Sequence, residues 1–270
     1  MNRQFDVIVI GDSKAGNDAI KNIAAANRAI KIAFISREFK SSTTRDFLNV
    51  EYIKDEVTFT DYKNRLFGCY LKSGVRHYCT HLIIASGLSY APFMIGNKVV
   101  PGVFNTVTEI PKAARQQVAI VVGNGDADTK LALAVAKKYK YVYLCTKGME
   151  LALSEVTRKK LEKAVNILVL PNVSIAKTTF ENEILTSVIL DNYSKITCNA
   201  IFAKTNAAPE TDFVSEKLIS KENGYLKTSD IAQSLLVPKC FAIGNCASKS
   251  TKKMQVSMVE AIINDFKGEF

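Results

Sequence analysis

Two stretches of this chain follow one plan: an apolar strand, a glycine turn, an amphipathic helix and a second apolar strand. In the first, residues 5–10 run into GDSKAG at residues 11–16, a helical pattern reaches about residue 28, and residues 30–36 supply the next strand. In the second, residues 118–122 run into GNGDAD at residues 123–128, a helix extends to near residue 140, and residues 141–145 follow. A strand that returns through a helix to a neighbouring strand gives a parallel pair, so each stretch predicts a βαβ unit and a parallel sheet. The expected fold class is α/β, with one such sheet in each half.

The segments between and after these units read as shorter strands. Residues 57–59, 67–71 and 76–85 are broken by turn residues such as Ser73-Gly74, and residues 173–178, 184–190 and 195–202 form a second group. The tail carries a strand at 240–243, the turn Gly244-Asn245 and a helix over about 254–266. With no low-complexity linker, the domain crossings are expected near Pro111 and Gly224.

A chain of 270 residues with 47% hydrophobic content suffices for one large domain or two modest ones. Apolar runs such as 82–85 and 118–122 are far too short for a membrane helix, and the N-terminal residues enter a strand directly; the expectation is a cytoplasmic protein with no membrane contact. The formal charge of +10 favours encounter with acidic proteins or anionic nucleotides. Nucleic acid is not expected, because no recognition module or aromatic platform accompanies the lysines. The six cysteines form no Cys-x-x-Cys pair and no zinc spacing, so no metal is expected and most read as small buried hydrophobes. His77 and His81 lie four residues apart in a strand pattern, where that spacing covers roughly 13 Å and forbids a shared ion.

A turn of the GDSKAG kind binds the diphosphate of a dinucleotide through three requirements. One glycine makes the bend, a second lets the backbone approach the phosphates, and a small third residue lets helix and strand pack. The helix N-terminus then offers free N–H groups and the positive end of its dipole. Gly11 and Gly16 satisfy the first and third; Ser13 stands at the second, with Lys14 and Ala15 beside it. The acid that ordinarily ends the next strand is replaced by Ser36, with Glu38 just beyond and Arg37 within reach of a phosphate. In the second turn Gly123 and Gly125 are present, but Asp128 takes the small position, where it is expected to crowd the helix and repel phosphate. Lys147, after the following strand, is the candidate partner of a 2′-phosphate.

Together these motifs resemble those of the FAD-dependent, thioredoxin-reductase-like branch of the pyridine nucleotide-disulfide oxidoreductases. FDVIVIGDSKAG is similar to the FAD-binding opening, ASG (Ala85, Ser86, Gly87) to the family's Ala-Thr-Gly, and VAIVVGNGDAD, including Asp126, to its NAD(P)H motif. GYLKTSDIAQSLLVPKCFAIGNCASKSTKKMQVSMVEA (residues 224–261) is similar to the closing segment, in which Gly244 and Asn245 would meet the ribityl chain and Gln255 and Val256 the flavin ring. The resemblance implies two Rossmann-like three-layer dinucleotide-binding domains, the second inserted in the first: residues 1–112 with 224–270 for FAD, and 113–223 for NADPH or NADH.

Four departures accompany it. Residues 103–112 lack the family's redox Cys-x-x-Cys, Thr146-Lys147-Gly148 replaces its His-Arg-Arg, Asn245 replaces an aspartate, and the region over residues 40–57 is short. Three readings stay open. The first is an FAD-dependent NAD(P)H oxidoreductase that passes electrons through the flavin, with no catalytic side chain, to an acidic carrier such as ferredoxin, flavodoxin or thioredoxin, in a homodimer. The second is a degenerate pseudoenzyme or binding module; the third is an FAD protein reduced by a partner protein.

Overall fold

The computed structural model describes residues 2–39, 47–107 and 117–267. The chain divides into two compact units, residues 1–89 with 207–270 and residues 90–206. The first begins with β1 (Arg3–Ile10), α1 (Lys14–Ala26), β2 (Ile32–Ser36), β3 (Val50–Lys54), β4 (Val57–Lys63), β5 (Leu66–Leu71) and β6 (Arg76–Ile84). The second contains β7 (Val103–Phe104), β8 (Val118–Val122), α2 (Asp126–Val135), β9 (Tyr141–Cys145), α3 (Glu155–Glu162) and β10 (Ile167–Leu170). It continues with β11 (Ile175–Glu181), β12 (Ile184–Leu190), β13 (Lys195–Thr197) and β14 (Ala200–Ala203), after which β15 (Cys240–Ala242) and α4 (Lys252–Lys267) complete the first unit.

The first unit is a seven-stranded sheet in the order β3-β2-β1-β6-β5-β4, with β15 also beside β6. β6 therefore serves two neighbours on one edge. Its first half pairs antiparallel with β5, Phe67 opposite Cys79, and its last residues pair parallel with β15, Cys240 opposite Leu82. Strands buried on both faces read as continuous apolar runs, as β1 and the end of β6 do. One face packs on α1 and α4 through Ile20, Ile23, Phe34, Met258 and Ile262; the other packs Phe67, Cys79 and Leu82 on Val214, Leu218 and Ile219.

The second unit has a five-stranded parallel sheet, β7-β14-β8-β9-β10, and a three-stranded antiparallel sheet, β11-β12-β13. α2 packs Leu131, Ala132 and Val135 on Val121, Leu144 and Phe202.

Three expectations differ from what is observed. Residues 195–202 are not one strand: Asn199 breaks them, its side chain accepting from the Val118 N–H, so that β13 joins the antiparallel sheet and β14 the parallel one. α2 ends at Val135, not near residue 140, and a turn closed by Lys138 and Tyr139 donating to the Val135 carbonyl follows. The crossings fall after Ser89 and after Asn206. β7 draws the segment before residue 112 into the second sheet, and Val214, Leu218 and Ile219 bind the segment before residue 224 to the first core. Pro111 itself, and residues 40–46 and 108–112 of the two divergent stretches, lie outside the described residues. Among the described residues no helix is long and apolar enough to cross a membrane.

Candidate functional site

The first glycine turn joins β1 to α1 at the C-terminal edge of the first sheet. Gly11 has φ +103°, and a Cβ there would lie 2.6 Å from the Ala85 carbonyl oxygen and 2.7 Å from the Ser86 Cα. At Gly16 a Cβ would meet the Gly11 carbonyl oxygen at 2.4 Å, and at Gly244 (φ +75°) it would meet the Ala15 Cβ at 3.1 Å. Both conserve space for the packing of strand, turn and helix against one another, as the requirement for small residues predicts. Gly11, Ser13, Ala15, Gly16, Ala85, Ser86 and Gly244 are thus brought together where β1 and β6 end. Gly87 (φ +79°) has nothing within 4 Å of an added Cβ, so its side faces open space.

Ser13 caps α1: its Oγ accepts from the Gly16 N–H at 3.1 Å, removing one donor from the helix N-terminus. No acid stands in the first turn of α1. Beside it, buried Asp12 accepts from the Asn17 side chain, which also donates to the Ser13 carbonyl at 3.0 Å. Lys14 is exposed and pairs with Asp18 at 3.3 Å. At the other side of the turn the Gly244 N–H donates to Ser250 Oγ at 2.8 Å, and Gln255 Nε2 reaches the same oxygen at 3.4 Å. Asn245 is exposed, as is Val256.

At the end of β2, Ser36 Oγ donates to the Glu38 carbonyl at 2.8 Å. Arg37 is ion-paired with Glu210 and lies 3.8 Å from Glu56, so carboxylates of this chain occupy the guanidinium. Beyond these residues, a cavity of about 300 Å³ is lined by Glu38, Phe39, Tyr52 and Lys54. The rings of Phe39 and Tyr52 meet edge to face at 5.8 Å. Sequence reasoning missed Phe39, Tyr52 and Lys54; alternate residues of β3 share a face, and that spacing was the available signal for the last two.

The second glycine turn is built differently. Asp128 Oδ2 accepts from the backbone N–H groups of Asn124 and Gly125, each at 3.1 Å. The carboxyl lies over Gly123, where a Cβ would be 2.2 Å from the Asp128 Cγ. The acid thus neither splays the helix from the strand nor merely repels; it bonds the turn's own amides. Asp126 accepts from the Ser154 N–H at 2.9 Å and the Ser154 Oγ at 2.7 Å and pairs with Lys130 at 2.6 Å, partners that hold its carboxyl well below the usual range. Lys147 is exposed, and Gly148 packs against the Asn124 side chain.

All six cysteines are free and buried. Burial raises the thiols of Cys145 and Cys198 to about 12 and also raises Cys79, Cys240 and Cys246. Cys246 Sγ donates to the Ile243 carbonyl at 3.3 Å, the packed-loop arrangement rather than an exposed redox thiol. His77 and His81 lie on β6, both buried, as the strand reading required. Among the described residues no group of three His, Cys, Asp or Glu could hold a metal.

Two inward-packed βαβ units, glycine turns at both sheet edges and a C-terminal strand returning to the first sheet define a two-unit dinucleotide-type fold. Residues 38–261 match the pyridine nucleotide-disulphide oxidoreductase family, and the chain belongs to that family, one of FAD-dependent NAD(P)H oxidoreductases. The matched span starts after GDSKAG, so the first turn is defined by its geometry alone. The fold is that of thioredoxin reductase from Lactococcus lactis (19% identity, TM-score 0.66, covering 97% of this chain and 98% of that one). Thioredoxin reductase from Streptococcus pyogenes is similar to the same degree (17% identity, TM-score 0.66, covering 98% and 99%). Thioredoxin reductase 2, mitochondrial, of Saccharomyces cerevisiae is 26% identical over 136 residues, 48% of this chain; the matched stretch spans 40% of that relative's length.

Proposed function

We propose that the chain is a flavoprotein oxidoreductase whose first unit holds FAD and which delivers electrons to an acceptor other than a dithiol. The observation that carries this reading is the first turn: α1 opens without an acidic residue, against glycines packed as a diphosphate turn requires. FAD, when bound, supplies the redox chemistry, and the protein orients it and adjusts its electronics.

The N-terminus of α1, with Lys14, Ala15 and the Ser13 cap, would meet the pyrophosphate. The cavity lined by Glu38, Phe39, Tyr52 and Lys54 has the right chemistry for an adenosine: aromatic edges beside one acid and one cation. Gly244 and Asn245 would meet the ribityl chain, Gly87 would leave room beside it, and Gln255 and Val256, at the start of α4, would face the ring. The dipole of that 16-residue helix favours negative charge near its first turn.

The acceptor follows from the thiols. With no Cys-x-x-Cys and six buried cysteines, a one-electron carrier of the ferredoxin or flavodoxin kind fits better than thioredoxin, and the net charge of +10 suits an acidic surface. NADPH or NADH as the reductant has family membership as its support, set against Asp128 in the second turn. A homodimer belongs to the same proposal.

The decisive experiment is reconstitution. The purified chain, incubated with FAD and desalted, should be yellow, with about one flavin per chain, and dithionite should bleach it. A colourless chain that takes up no FAD would overturn the proposal in favour of a binding module. That second reading has one observation of its own, the buried Asp12 carboxylate beside the turn.

A further inference from the structure

A pyridine dinucleotide bound at the turn after β8 needs the N–H groups at the start of α2 as donors to its diphosphate. In this chain the N–H groups of Asn124 and Gly125 already donate to Asp128 Oδ2, both at 3.1 Å. The carboxyl fills the concavity over Gly123, at the distance where even a Cβ would overlap it. A second carboxylate, Asp126, stands in the same first turn. A diphosphate would thus have to displace one internal anion and approach another, whereas α1 presents no acid at the equivalent place. Lys147, the one cation offered by sequence for this ligand, is exposed to solvent.

We propose that Asp128 is a built-in substitute for the phosphate, and that it closes the second glycine turn to NADPH and NADH. The turn keeps its shape because the acid supplies the acceptor that a ligand would otherwise bring. This inference concerns residues 123–128 and does not depend on FAD being held by the first unit.

The test is direct binding. Full-length chain, wild type and Asp128→Ala, is titrated with NADPH and with NADH by calorimetry, and FAD content is read from flavin absorbance in the same samples. The wild type should show no saturable binding up to about 1 mM, and Asp128→Ala should bind at least one of the two about ten- to a hundredfold more tightly, as expected when two backbone donors are released. Saturable wild-type binding below about 1 mM overturns the proposal whatever the variant does. Equal absence of binding in the wild type and a folded variant also overturns it, because closure would then not lie with Asp128. Should Asp128→Ala fail to fold by circular dichroism, Asp128→Ser is read against the same two criteria. A chain that takes up no FAD yet gains NADPH binding on substitution would sink the flavoprotein reading and leave this one standing.

Discussion

Arg37, just after β2, is ion-paired with Glu210, 173 residues further along the chain. The backbone of Glu210 binds the end of β6 as well: its carbonyl accepts from Ser86 Oγ at 2.6 Å and its N–H donates to the Gly87 carbonyl at 3.1 Å. Because β1 lies between β2 and β6 in the sheet, one residue ties the two strand ends flanking the first glycine turn.

Arg37 is therefore committed to carboxylates, and its loss should be felt in stability more than in cofactor affinity. A double-mutant cycle of Arg37→Met and Glu210→Gln should give a coupling of about 0.5–1 kcal/mol, the range for partly exposed pairs, falling as salt is added. FAD affinity measured by flavin fluorescence should change by less than about threefold in Arg37→Met. A loss of tenfold or more would return the guanidinium to a phosphate.

The glycines of the first turn should separate sharply from a surface glycine. Gly11→Ala puts a Cβ against the Ala85 carbonyl in a left-handed backbone and should cost at least about 2 kcal/mol in urea unfolding. Gly74→Ala, also at positive φ but with nothing within 4 Å, should cost only about 1 kcal/mol. Equal costs would mean that the turn is not packed as described.

Acid should weaken the chain through its two histidines. Burial is the main cause that holds His77 and His81 below the ordinary histidine value, although Asp265, 3.1 Å from His81 Nε2, pulls the latter back up. Below about pH 6.5 the unfolded chain takes up protons that the folded chain refuses, so stability falls as pH drops from there through the folded values. Among the described residues the buried His77 Nδ1 has no hydrogen-bond partner, and its ring meets Phe5 edge to face at 5.5 Å. His77→Phe should flatten the loss of urea midpoint between pH 7 and pH 5; an unchanged slope in both His77→Phe and His81→Asn would refute the assignment.

The thiols should be silent. With Cys145 and Cys198 raised to about 12 by burial and every cysteine enclosed, native chain should release almost no colour from Ellman's reagent at pH 8, and denatured chain should titrate all six. Rapid reaction of even one thiol in the native chain would reopen dithiol chemistry.

Much of the frame was legible because buried parallel strands announce themselves. β8, β9 and β12 occupy the residues their apolar runs mark out. What stayed hidden depended on partners remote in sequence. Nothing in residues 195–202 reveals that Asn199 will bond Val118 and hand the chain from one sheet to another. The crossings at 89 and 206 carry no linker composition, and the cavity beside Phe39 combines a loop with one face of β3. Asp128 was visible as an acid that opposes phosphate, but the bonds it makes were not. Read as a helix position, an acid three residues after the N-cap Gly125 can reach back to the turn's amides, the half of a capping box that a glycine N-cap allows, and its bonds to Asn124 and Gly125 are of that kind.

The two neighbours on one edge of β6 also fix an order of events during synthesis. Residues 90–206, with the five-stranded and three-stranded sheets, leave the ribosome before Cys240–Ala242 exists to pair with Leu82–Ile84. Until then the last residues of β6 present unpaired backbone groups on an apolar strand, the kind of edge on which nascent chains aggregate. The unit begun first is finished last, and a chain stopped anywhere before residue 240 would carry that open edge permanently.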